Sequence, residues 1–582
     1  MMTNKSDIIT CESPRKTVEV QLPDGHVLSG PRSTKVGDFL ETVEDSFPAP
    51  LVGAVVNGEL RELTYRIELD AHVRPVTMAE PDGMRLYRRT LTLILEAAFD
   101  ELFPGAVLKV DHSLSSGGYF CQVEGRSPLN EAEIKQLNAR MKELVDEDIP
   151  IERRRVPLEE AIRYFEESGH HDKARLLKHR TKDYLELYTL GSHQDYHHGY
   201  MVPSTGYLRW FELQKINGGF ALRFPRRHEP TKLQPIPHLS KLLGTFLQYG
   251  EWLETLEIGS VGSLNDAICS DRIREVILVS EALHEQRIAE VAQQIAASRD
   301  EIRVVLVAGP SSSGKTTFSK RLAIQLLTMG ISPYPLAMDN YFVDRESTPR
   351  DETGDYDYEH IDSVDRKRMS EDLRMLIRGD QVPLPKYNFI TGKREVGDVV
   401  RLKEGQIVIL EGIHGLNPDL LGDFPAEQTF RIYASALTQL NLDRHNRVST
   451  TDTRLVRRIV RDSRERNYNA FETINRWESV RRGEKRYIFP YQENADVMFN
   501  SALVYELSAL KPLAEPLLRQ VPFGQPEFIE AKRLLVLLDW FQPIKNDELI
   551  PDNSLLREFV GGSILQDFRL WQYETFKPEL LR

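Results

Sequence analysis

Cysteine is scarce in this chain: Cys11, Cys121 and Cys269 are the only three among 582 residues. They lie far apart with no paired spacing, which argues against a disulfide framework or a zinc knuckle and fits a reducing cytoplasm. Long apolar runs are lacking too. None approaches the roughly 20 residues of a membrane-spanning helix, and the opening stretch MMTNKSDIITCESPRK has no apolar core of a signal peptide. A basic excess is also missing. Lys and Arg number 75 against 88 Asp and Glu, a net charge of −13, which disfavours non-specific nucleic-acid binding by the chain as a whole. The absences leave a cytoplasmic globular protein with no membrane partner. Its length exceeds what one hydrophobic core can serve, so several domains are expected.

What is present concentrates at residues 304–317, VVLVAGPSSSGKTT. Val304, Val305, Leu306 and Val307 read as a short buried strand. Gly309-x4-Gly314-Lys315-Thr316 then follows the pattern of a phosphate-binding loop. Glycine lets the backbone turn its N–H groups onto phosphate oxygens, the lysine supplies a mobile cation, and the Thr316 hydroxyl can hold Mg²⁺. Gly309, Ser311, Ser312, Ser313, Gly314, Lys315, Thr316 and Thr317 are thus the candidate ATP contacts. Residues 318–329 have helical spacing, so a helix dipole also faces the phosphates.

Two acidic residues follow at strand ends. Tyr334 to Met338 reads as a strand that ends in Asp339, placed to take a proton from an attacking hydroxyl. Gln406 to Leu410 reads as another, ending in Glu411, the expected second acid for Mg²⁺. Further on, Leu455, Val456, Ile459 and Val460 form an apolar stripe, while Arg454, Arg458 and Arg461 line another face. Such arginines suit a lid over triphosphate.

Over about 301–510 these pieces, AGPSSSGKTT, MDNYF, YDYEH, PLPKYNF, ILEGIHGLN and TRLVRRIVRDSRER, resemble the uridine kinase family of the phosphoribulokinase/uridine kinase group. The resemblance implies a doubly wound parallel sheet and an ATP- and Mg²⁺-dependent transfer to a nucleoside 5′-hydroxyl. Asp339 would be the general base and, with Thr316 and Glu411, would serve the metal. Lys315, Arg458 and Arg461 would be catalytic, and Arg466 would serve ATP. Tyr358, Glu359, Tyr387 and Arg458, with Asp339, would contact the substrate, Glu359 at the ribose hydroxyls and Tyr387 at the base. Two positions depart from the family: its base-reading histidine falls at Gly392, and an arginine falls at Tyr468. The phosphoryl-transfer set is intact while the choice of base is open. The alternatives are another hydroxyl acceptor, such as a sugar phosphate, or a nucleotide-regulated RNA- or tRNA-binding protein.

The front of the chain reads differently. Val18, Val20 and Leu22 alternate with polar residues, Pro23-Asp24-Gly25 turns, and Val27-Leu28 returns, which predicts a hairpin. A helix over 36–47 and a strand over 51–56 follow. This unit, 15–78 behind a disordered tail at 1–14, resembles a TGS domain, a small β-grasp fold at the front of threonyl-tRNA synthetases. Residues 79–235 resemble the α+β editing domain of the same synthetases, in AAFDELFPGAVLKVDHSLSSGGYFCQ, EIKQLNARMKELVDEDIPIERRRVPLEEAIRYFEESG and HHGYMVPSTGYLRWFELQKINGGFA. That family carries HxxxH and CxxxH. Here the first pair falls on Arg89 and Leu93, the second on His197 and Met201. Leu93 and Met201 can neither ligate a metal nor move a proton, so the hydrolytic site is dismantled and a binding or regulatory role is implied. The basic residues of IERRR and KARLLKHR could serve a tRNA or small-ligand site, or form a solvated face. His193, Asp195, His197 and His198 crowd one short segment, which could bind a metal but reads rather as a polar loop.

A helical linker is expected over 236–300, with one long helix capped at Ser263 and running to Ile295. The helical extension 511–582 shows no chemistry and reads as packing or an oligomer contact.

Overall fold

The computed structural model describes residues 15–114, 116–236, 240–352, 354–568 and 574–576. The tail expected at 1–14 lies outside the described residues. The chain divides into two compact units. One takes Met1–Ala161, Lys182–Ile236 and Pro522–Ile529; the other takes Ile162–Thr181, Pro237–Val521 and Glu530–Arg582. Among the described residues no helix is long and apolar enough to cross a membrane.

The first unit opens with a five-stranded sheet. The predicted hairpin pairs Thr17–Gln21 with Val27–Pro31 antiparallel. Thr17–Gln21 also runs parallel to Ala71–Thr77, which in turn lies antiparallel to Leu51–Val56. Val18, Val20 and Leu22 point to one core with Phe39 and Leu40, as the period of two requires. The helix carrying Phe39 spans Val36–Glu41 and stops short of the expected 47. Thr42 turns its hydroxyl onto the Phe39 carbonyl at 2.7 Å, and Pro48 and Pro50 cannot extend a helix. The rest of this unit builds on the helix Pro81–Leu102. Leu91, Leu93, Ile94, Leu95, Ala98 and Phe99 are all fully buried there. Such all-round burial marks a central helix.

In the second unit five strands form one parallel sheet: β1 (Val304–Ala308), β2 (Pro333–Ala337), β3 (Ile407–Gly412), β4 (Thr429–Ser435) and β5 (Val497–Asn500), in the order β2-β3-β1-β4-β5. All five residues of β1 are buried, as a central parallel strand needs. The carboxyl ends share one edge, where α/β sheets hold ligands. Three helices matter for the site: α1 (Lys315–Thr328), α2 (Thr450–Glu465) and α3 (Ala470–Tyr487).

The single long helix expected from Ser263 is two helices, Val261–Cys269 and Ile273–Ala297. Asp271 between them has φ of 59°, a left-handed conformation that no helix continues through. The N-cap is Ser260, whose N–H donates to Ser263 Oγ at 3.1 Å. The second helix packs beside α1, where Arg321 donates to Glu285 at 2.7 Å.

Candidate active site

Between β1 and α1 the chain makes the tight loop that the spacing predicts. Gly309 is required by space: a Cβ there would stand 1.9 Å from the Ala434 carbonyl oxygen. Gly314 is required by conformation, with φ of 81° just before α1. Ser312 also lies at positive φ, 58°. The Ser312 and Ser313 hydroxyls are buried without hydrogen-bond partners among the described residues. A concave backbone with unpartnered buried donors is a cradle for an anion. Lys315 folds back over it, its Nζ donating to the Pro310 carbonyl at 3.0 Å. Burial pushes the Lys315 pKa down, while Glu411, Glu558 and Asp339 act the other way.

The two predicted acids arrive from neighbouring strands. Glu411 belongs to β3 itself, and its Oε1 accepts from Thr316 Oγ1 at 2.9 Å. Crowding by protein raises its pKa to about 7, with Lys315 opposing. Asp339 follows β2 in the turn Met338–Tyr341. The residue is exposed, yet surrounding protein costs the carboxylate hydration and raises its pKa. Lys315, Arg466 and Arg461 pull it back.

On α2 the arginines divide into two sets. Arg458 Nη1 donates to Ser311 Oγ at 2.7 Å. Asp462 gathers Arg458 at 3.2 Å, Arg461 at 2.8 Å and Arg466 at 3.6 Å. Arg454, expected among the lid arginines, is instead fully buried. It forms a two-point pair with Glu484 at 2.5 and 2.7 Å and donates to the Ser311 carbonyl at 3.2 Å. Arg457 is equally buried, bonded to Glu506 at 2.6 Å and to the Ser501 carbonyl at 2.8 Å. These two hold the loop from outside; their charges are already matched.

Tyr358 meets Phe342 edge-on at 6.0 Å, and Glu359 follows it in the chain. Tyr387 meets Phe342 and Phe389 edge-on at 5.6 and 5.1 Å. Burial lifts Glu359 to about 7 against the pull of Arg458. Helix α3 touches Glu359 at Gly483, where a Cβ would stand 2.2 Å from the Glu359 Cβ. At Gly392 the space belongs to Arg345: a Cβ would meet its guanidinium at 2.7 Å. Arg345 Nε donates to the Tyr358 hydroxyl at 3.2 Å.

Residues 304–508 match the family model described as Phosphoribulokinase / Uridine kinase family. The second unit carries a kinase domain of this family. One similar solved structure is that of a possible uridine kinase from Bacillus stearothermophilus, 24% identical, covering 37% of this chain and 97% of that one, with a TM-score of 0.26. Threonine–tRNA ligases match another part of the chain. That of Polaromonas sp. is 28% identical over 204 residues and that of Symbiobacterium thermophilum 31%, each over 35% of this chain and 32% and 31% of their own lengths. The chain thus spans about a third of the length of these curated relatives.

The first unit carries the synthetase-like region. Leu93 and Met201 lie in its core, almost fully buried. Arg89 donates to the Tyr200 carbonyl at 2.5 Å, and its guanidinium fills the space over Gly199, where a Cβ would lie 2.6 Å away. His197 Nε2 lies 3.3 Å from Glu96 Oε1. His193 Nδ1 lies 3.3 Å from Asp100. Burial pushes His193 down, but Asp100 and Glu96 prevail and raise it to about 9. The residue belongs to a strand, His193–Asp195, where a loop was expected.

The two basic stretches resolve as paired surface. Arg153 and Arg155 lie 3.2 and 2.9 Å from Glu186, and Arg154 is 3.0 Å from Glu160. In the second unit Arg175 bonds Asp266 at 2.7 Å and Lys178 bonds Glu166 at 2.8 Å. Lys173 is buried within 2.9 Å of His445.

Sequence reasoning passed over Asp462, Gly483, Glu484 and Glu558. A lone glycine inside a helical run, as in RRGEKR, was the available signal for Gly483. The acids carry none, because their partners come from distant parts of the chain.

Proposed function

We propose that the chain is an ATP- and Mg²⁺-dependent kinase that moves the γ-phosphate of ATP to the 5′-hydroxyl of a nucleoside. The observation that carries this reading is the meeting of three groups at one sheet edge: the phosphate loop with Lys315, the Thr316–Glu411 oxygen pair, and Asp339. The donor set fits the metal. Thr316 Oγ1 and Glu411 Oε1 are 2.9 Å apart, both are hard oxygens, and Asp339 adds a third. Mg²⁺ held there would neutralise phosphate charge in transfer.

The chain's own groups divide the remaining work. The loop N–H groups and Lys315 bind the phosphates. Glu359 accepts from the sugar hydroxyls, and Tyr387 offers an aromatic face to the base. The acceptor hydroxyl passes its proton to the Asp339 carboxylate as its oxygen attacks phosphorus, and the bond to the leaving ADP oxygen breaks. Arg458, Arg461 and Arg466, already oriented by Asp462, stabilise the charge that spreads over the transferring oxygens. Arg345 fills the Gly392 position, so a guanidinium is the group available near Tyr358 for contact with the base.

ATP consumption in Mg²⁺ against a panel of nucleosides, sugars and sugar phosphates tests this, with products identified by mass. A nucleoside 5′-monophosphate that disappears with Asp339→Ala is the expected result. A phosphorylated sugar with no nucleotide product would overturn the nucleoside reading and leave the kinase reading standing.

A further inference from the structure

Residues 554–566, in the extension that the sequence left without chemistry, reach the phosphate loop. Leu555, Leu556 and Phe559 are fully buried and anchor them. Leu555 lies so close to Gly314 that a Cβ on that glycine would stand 2.3 Å from its Cδ2. The Phe559 ring faces the Arg457 guanidinium at 4.9 Å, and its carbonyl accepts from Arg464 at 2.8 Å. Farther along α1, Lys320 donates to the carbonyls of Leu565 and Gln566 at 2.6 and 3.0 Å.

This anchoring delivers one charged group. Glu558 Oε2 accepts from the Thr317 N–H at 3.1 Å and from Thr317 Oγ1 at 3.0 Å. Thr317 is the third residue of α1, so its N–H has no partner within the helix. It is one of the donors with which such a loop cradles nucleotide phosphates. A carboxylate on these donors stands where a phosphate oxygen would bind, and two anions cannot share them without strong repulsion.

We propose that Glu558 is a built-in competitor for nucleotide phosphate, its carboxylate filling the Thr317 end of the cradle until ATP displaces it. The buried anchors stay in place, and only the Glu558 side chain has to swing out. The empty enzyme thereby keeps the two Thr317 donors satisfied, and nucleotide binds more weakly than the cradle alone would allow. The inference rests on the reading of 309–317 as the nucleotide loop. The rival role, Glu558 as a direct ligand of the nucleotide's sugar, predicts the opposite sign.

Calorimetric titration of the full chain with ATP, ADP, pyrophosphate and adenosine in Mg²⁺ separates them, using wild type, Glu558→Gln, Glu558→Ala and Lys315→Ala. Charge-assisted hydrogen bonds of this kind differ by enough to shift binding about tenfold or more. Both Glu558 variants should therefore bind ATP, ADP and pyrophosphate about tenfold more tightly and adenosine unchanged. The isosteric Gln variant guards against loss of packing. Unchanged or weaker ATP binding by Glu558→Gln, with Lys315→Ala still abolishing it, would overturn the competitor and leave the loop reading intact. ATP binding by none of the four proteins would overturn the loop reading, and the competitor with it.

Discussion

Glu359 and His193 show how surroundings decide what a titratable side chain can do. Glu359 is raised to about 7 because burial outweighs Arg458. If Glu359 holds the sugar hydroxyls as proposed, protonation turns one of its two acceptor oxygens into a donor and removes its charge, so the acceptor KM should fall as pH rises through 7. With Glu359→Gln that dependence should flatten; pH profiles of KM at saturating ATP check it. Its stability term follows the same shift. The folded state binds the proton more tightly than the unfolded chain, so the contribution is complete below pH 4.5 and is lost as pH rises through about 7. His193, raised to about 9 from 6.5, likewise contributes below 6.5 and loses its contribution as pH rises through about 9. His193→Gln should thus destabilise the chain at pH 6 more than at pH 10, as urea unfolding at both would show. Gly483 is a different case, set by space alone. Gly483→Ala would press a methyl against the Glu359 Cβ, raising the acceptor KM several-fold while the ATP KM stays near wild type. Equal effects on both would place the strain elsewhere.

Helix α2 carries charge on opposite duties within four turns. Arg454 and Arg457 are buried and paired, whereas Arg458 and Arg461 reach Ser311 and Asp462 at the cleft. Removing one partner of a buried pair leaves an uncompensated charge, a loss of about 3–5 kcal/mol. Arg454→Ala should lower stability in urea unfolding by less than that, because Glu484 stays behind but keeps Arg481 at 3.1 Å and the Ser311 N–H at 3.1 Å. Arg458→Ala should lower kcat with stability nearly unchanged. The helical period did place 454, 458 and 461 along one face. It held no record of Glu484 or Glu506, whose positions on other elements turn two of the arginines into structural clamps. Nor could the pattern of 511–582 show that Glu558 would meet Thr317, more than two hundred residues away in the chain.

At the scale of the molecule, the first unit carries the synthetase-like region. Leu93 and Met201 pack in its core, where neither can ligate a metal or move a proton, and Arg89 fills the space over Gly199. The chain should therefore leave charged threonyl- and seryl-tRNA at the deacylation rate of buffer, measured by loss of labelled aminoacyl ester. The paired arginines of IERRR likewise offer little net charge to RNA. Neighbours along the chain fix the phosphate loop, whose glycines answer to local turns and close approach, the apolar run of β1, and the hairpin at 17–31. Acids at strand ends were legible for the same reason, since a parallel sheet brings every carboxyl end to one edge. Which counter-charge each arginine meets was settled by tertiary contacts. Arg454 and Arg458 are indistinguishable by residue type and period, yet one is locked to Glu484 and the other is held by Asp462 against Ser311 of the phosphate loop. A left-handed residue at Asp271 split a helix whose apolar period continues across it. Local pattern sets backbone conformation and the buried face, but counter-charges and filled spaces arise from contacts between segments that no periodicity links.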